Sequence, residues 1–172
     1  MHRRGLAQCA GAVFLLAVLA PLSGCGFALR QPPEFAFKSL YTGVPETSPF
    51  GIELRRNLAS LGNVKVITDG TQIKTADVIL DILQEQRIKT VVGINAAGQV
   101  REFQLRIVLR FRLRNQQGKE LIPSTELLQE RDISFNEAAV LSKEVEEGLL
   151  YRNMQTDLVQ QIMRRLAAVK EL

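Results

Sequence analysis

The chain has 172 residues, a formal net charge of +4, 46% hydrophobic residues, two cysteines and one histidine. That is enough for one domain with a packed core, and the charge is too small to argue for a nucleic-acid partner. The only histidine is His2, and there is no glycine-rich phosphate loop, zinc-ligand spacing or Gly-x-Ser-x-Gly elbow. No set of side chains supplies nucleophile, base and orienter together, so the sequence reads as non-enzymatic, without metal or cofactor.

In chain order, Arg3 and Arg4 precede an apolar run from Ala10 to Leu22 that ends in Leu22-Ser23-Gly24-Cys25. A positive start, an apolar run and small residues are the layout of a secretory signal. The run is too short for a membrane span, which needs about 20 residues, and an ordinary secretory signal needs no cysteine. The ending resembles a bacterial lipobox, which implies removal of residues 1–24 and attachment of S-diacylglycerol and an N-acyl chain such as palmitate to Cys25. Loss of Arg3 and Arg4 leaves 20 basic against 18 acidic residues, a charge of +2. Cys9 leaves with the signal and Cys25 carries lipid, so the mature chain holds no disulfide and its core depends on packing. Gly26 at the second mature position favours sorting to the outer membrane.

Residues 25–33 read as a lipidated start and tether, stiffened by Pro32 and Pro33. Glu34 to Thr42 reads as a first strand. Ser48-Pro49 predicts a helix cap with proline at the first turn, and Phe50, Leu54, Leu58 and Leu61 predict one buried stripe of a helix over 48–61, ended by Gly62. Arg55 and Arg56 fall on its solvated face. Val64 to Ile67 is a short strand, and a longer one runs from about Asp77 to Val92, its alternation loosening after Gln84 as in a projecting hairpin arm. Asn95 to Gly98 is the turn. The next strand alternates Phe103, Leu105, Ile107, Leu109, Phe111 and Leu113 on a core face with Gln104, Arg106, Val108, Arg110, Arg112 and Arg114 on a wet one.

Asn115 to Gly118 predicts a second turn into a last strand from about Lys119 to Phe135, where Pro123 demands an edge or a bulge. A terminal helix is expected over 142–169, with Val145, Leu149, Met154, Leu158, Ile162, Leu166 and Val169 along one side. Gly148 within it costs about 1 kcal/mol relative to alanine, which suggests a close neighbour or a kink. The sum is an α+β domain at 34–172: a two-layer sandwich, two helices on a mixed, mostly antiparallel sheet of four or five strands.

Arg106, Arg110, Arg112 and Arg114 form a basic row able to meet phosphates, or to pair with Glu126, Glu130 and Asp132 across the sheet. The second reading is favoured because neighbouring strands commonly match charge. These features alone also fit a scaffold lipoprotein of another envelope machine, in outer-membrane protein assembly or peptidoglycan attachment.

Gly24-Cys25-Gly26-Phe27-Ala28-Leu29-Arg30 resembles the start of the LptE family of lipopolysaccharide-assembly lipoproteins. Arg55-Arg56-Asn57-Leu58, Leu61-Gly62, Glu102-Phe103-Gln104 and Ala138-Ala139-x-Leu141-x-Lys143 follow in the family's order. The resemblance implies two helices on a mixed sheet, and a lipoprotein anchored on the periplasmic side of the outer membrane and in the lumen of a β-barrel partner, LptD. There it would plug the barrel, help assemble it and take part in lipopolysaccharide transport. It also implies lipopolysaccharide binding through basic residues, one of which matches Lys143. A second family position, at the hairpin turn, is occupied here by Ile94-Asn95, with Lys89 and Arg101 on the adjoining arms as substitutes.

Overall fold

The computed structural model describes residues 34–172; the signal, Cys25 and the tether lie outside the described residues. In chain order the elements are β1 (Ser39–Thr42), α1 (Pro49–Ser60), β2 (Lys65–Ile67), β3 (Val78–Ile94), β4 (Val100–Asn115), β5 (Glu120–Ser134) and α2 (Val140–Ala168). Short 3-10 turns occupy Gly70–Thr75 and Glu137–Ala139. The five strands lie in the order β2-β1-β3-β4-β5, with β1 parallel to both neighbours and β3, β4 and β5 an antiparallel meander. The mixed two-layer α+β architecture expected from the sequence is the one observed.

Strand β1 is shorter than the reading from Glu34. At its start the backbone N–H groups of Lys38 and Ser39 are taken by the Asp77 carboxylate, at 2.8 and 2.9 Å, while Asp77 N–H donates to Ser39 Oγ. This exchange ties the start of β1 to the start of β3. Ser48 caps α1 by accepting from Gly51 N–H at 3.2 Å, with Pro49 in the first turn where it removes no helical hydrogen bond. Phe50, Leu54 and Leu58 are buried as expected, and Gly62 adopts φ +69°, a left-handed conformation that costs other residues steric energy.

Along β4, Leu105, Ile107, Leu109, Phe111 and Leu113 are buried and Phe103 partly so. The edge strand β5 accommodates Pro123 in an irregularity: Phe111 pairs with Thr125 but Leu113 with Ile122, so residues 123 and 124 drop out of the ladder.

Three expectations need correction. The loosened alternation of β3 is a face switch. Ile82 pairs with Phe111 and Gln84 with Arg110, leaving Leu83 bulged, so Glu85, Arg87 and Lys89 pair with Leu109, Ile107 and Leu105 on the helix-covered face. In α2, Val145 and Leu149 are 64% and 48% exposed, not part of the buried side. The inner face there is mixed instead, with Lys143, Glu147, Leu150 and Tyr151 leading into Met154, Leu158, Ile162 and Leu166. The helix has rotated its apolar stripe because the β3 residues beneath its first half are charged. Gly148 has no close neighbour either: a Cβ built there meets nothing within 4 Å.

Candidate functional site

The face switch at Leu83 brings Lys89 under the first turns of α2, where Lys143 stands. Both lysines line a cavity of about 250 Å³ together with Phe103, Ile133, Phe135, Val140 and Glu147. Lys89 Nζ donates to Glu147 Oε2 at 2.6 Å and lies 4.3 Å from the centre of the Phe103 ring, a cation over an aromatic face. Lys143 Nζ donates to Ser134 Oγ at 3.0 Å and to Glu146 Oε2 at 2.8 Å. A lysine in the first turn opposes the helix dipole, and Glu146, one turn on, offsets this. Phe103 and Phe135 meet edge to face at 5.3 Å and form the apolar wall.

The remaining basic residues lie elsewhere. Arg101 sits beside the hairpin turn, donating to Gln99 Oε1 at 3.2 Å, while its carbonyl accepts from Phe135 N–H. Arg106 and Arg110 alternate with Leu105 and Leu109 and so face the opposite side of the sheet from Lys89 and Lys143. Arg110 pairs with Glu126 at 2.8 Å across the strands. Arg106 is in register with Glu130, yet among the described residues it makes no ion pair, and its buried Nε has no hydrogen-bond partner. Arg112 and Arg114 converge on Asp81, each at 2.8 Å, with Glu120 3.7 Å from Arg112. Burial acts to raise the Asp81 pKa, but hydrogen bonds and charge from the two arginines outweigh it and hold the carboxyl below its usual range. Cross-strand pairing thus accounts for three arginines of the row, with Asp81 a partner the sequence reading missed; Asp132 instead accepts from Gln104.

A second feature lies between the helices. Glu53 of α1 accepts from Gln155 at 2.6 Å and Thr156 at 2.7 Å, and the buried Gln155 in turn accepts from Arg87 at 2.8 Å. The Tyr151 hydroxyl donates to the Ile88 carbonyl, and burial, with the charge of Glu147, pushes its pKa up. Arg55 folds back to the carbonyls of Val44 and Glu46, a structural role its place on a solvated face did not suggest.

Among the described residues no group of three or more His, Cys, Asp or Glu is disposed to hold a metal ion. The described residues form a two-layer α+β module that carries a lysine- and aromatic-lined cavity between the sheet and the terminal helix. The LptE family model, described as lipopolysaccharide-assembly, matches residues 37–166, and the chain belongs to that family. It is 26% identical over 156 residues to the LPS-assembly lipoprotein LptE of Pectobacterium atrosepticum, covering 90% of this chain and 82% of that one. A solution structure of lipoprotein B from Nitrosomonas europaea superimposes with a TM-score of 0.70 at 32% identity, covering 84% of this chain and 92% of that one. The rare lipoprotein B of Shewanella oneidensis shares the fold at 20% identity and a TM-score of 0.62, over 76% of this chain and 95% of that one.

Proposed function

We propose that this protein is a lipid-anchored outer-membrane lipoprotein that plugs and helps assemble an LptD-like β-barrel, and that it takes part in carrying lipopolysaccharide to the cell surface. The observation that carries the reading is the family match across 37–166; the lipobox-like ending at Cys25 supplies the anchor. A domain with a charged surface and no second apolar stretch suits the polar lumen of a large barrel. Direct lipopolysaccharide binding is assigned to Lys143 and Lys89, whose ammonium groups share one cavity and would pair with phosphates while Phe103 and Phe135 offer apolar contact. Arg101, on the opposite arm of the hairpin that carries Lys89 and close to its turn, is a second contact. Arg106 is the candidate on the opposite sheet face, and Arg110 could join it only by exchanging Glu126 for ligand.

Depletion of the protein from its own bacterium tests the reading. Surface lipopolysaccharide and the folded barrel should fall together. Loss of neither, or loss of peptidoglycan attachment instead, would overturn it.

A further inference from the structure

A groove of about 640 Å³ runs between α1 and α2, lined by Pro49, Ile52 and Arg56 from one side, Gly148 and Arg152 from the other, with Arg87 at the floor. Its charges are unbalanced. Glu53 has both oxygens engaged by Gln155 and Thr156, and Arg87 is held by Gln155 and the Tyr151 ring, 5.4 Å from its guanidinium. Arg56 and Arg152 are exposed, and among the described residues neither makes an ion pair. Three guanidiniums thus line the groove against the single carboxylate of Glu53, and the two exposed ones, one from each helix, make no ion pair among the described residues.

Gly148 adds an independent observation. Glycine is unfavourable inside a helix, and close packing, the common compensation, is absent because a Cβ there would enter open space. What a side chain at 148 would occupy is the groove itself. Ile52, 42% exposed, places an apolar surface on the opposite rim.

We infer that this groove is a docking site for an extended acidic segment of the barrel partner, carboxylates pairing with Arg56 and Arg152 and an apolar side chain seated over Gly148 against Ile52. The inference rests on the function proposed above and names the contact surface. A protein segment fits better than a lipid phosphate for two reasons: the fixed Glu53 carboxylate repels a dianion more strongly than single carboxylates, and the apolar rim asks for a side chain that a phosphate does not bring.

The test is recovery of the barrel with the full-length chain from detergent-solubilised membranes, comparing wild type, Arg56→Glu with Arg152→Glu, Gly148→Phe, and Arg164→Glu with Arg165→Glu. Charge reversal in the groove and the filling phenylalanine should each lower recovery about tenfold or more, the order expected when one side of an interfacial charge pair is reversed or its pocket is blocked. Arg164→Glu with Arg165→Glu, the same charge change at exposed positions of α2 outside the groove, should retain the barrel. Wild-type recovery for the two groove variants, with unchanged melting temperatures, would overturn the inference. So would unchanged barrel recovery combined with lost binding to anionic phospholipid vesicles, which would assign the groove to lipid. If wild type itself brings down no barrel, the proposed function fails and the docking site with it.

Discussion

Lys89 and Lys143, 54 positions apart in the chain, line one cavity, and each is held there by a neighbouring glutamate of the terminal helix. The side chains are 38% and 21% exposed, so the pairs are only modestly stabilising. An anionic ligand can therefore displace Glu147 and Glu146 at small cost.

Reversing Lys143 to glutamate should weaken lipopolysaccharide binding severalfold at low salt, and by less at high salt, where screening already erodes the contact. Binding isotherms for wild type and Lys143→Glu at two ionic strengths check this. Superimposable curves would remove Lys143 from the site.

Removing the competing carboxylates should act in the opposite direction. Glu147→Gln, and more so Glu146→Gln with Glu147→Gln, should raise lipopolysaccharide affinity severalfold, because the ligand then displaces neutral amides instead of charged partners. The same isotherms read the result; an unchanged affinity would mean that phosphates do not approach the lysines.

Leu109→Asp places a charge in the sheet-helix core, where Leu109 is fully buried. A buried, unpaired carboxylate costs several kcal/mol, comparable to the whole stability of a small domain. Thermal melting should show loss of the cooperative transition, or a large fall in its midpoint.

The Asp81 cluster should give the stability curve an acid limb. Its folded pKa is depressed by Arg114 and Arg112 against the effect of burial, so its contribution is fully present above the unfolded carboxylate value of about 3.9 and is lost as pH falls through the lower folded value. Asp81→Asn should be less stable at neutral pH by about 1.5–3 kcal/mol, the range for hydrogen bonds to a charged group. The difference should shrink below pH 4 or so as the wild-type group protonates. Denaturant titrations across that range check it.

The strands with one dry face were legible because period-two alternation is written in single residues: Leu105 to Leu113 gave β4 its core side, and Ser48-Pro49 with Phe50, Leu54 and Leu58 gave α1 its boundaries. The Leu83 bulge was not, since it shows only as two adjacent apolar residues, Ile82 and Leu83, and its effect is to exchange faces for the rest of β3. That exchange also misled the reading of α2. Val145 and Leu149 continue the helical period of Met154 and Leu158, yet the sheet beneath them presents Arg87 and Lys89, so tertiary context overrode the pattern. Lys143 was reached through family resemblance. The cavity it shares with Lys89 depends on the bulge and could be seen only in the folded chain.

The most direct measurement is the identity of what accompanies the full-length protein when it is purified from the detergent-solubilised membranes of its own bacterium. A single large β-barrel recovered in equal amount is the expected result. Recovery with a set of other lipoproteins or with cell-wall fragments, and no such barrel, would contradict the assignment.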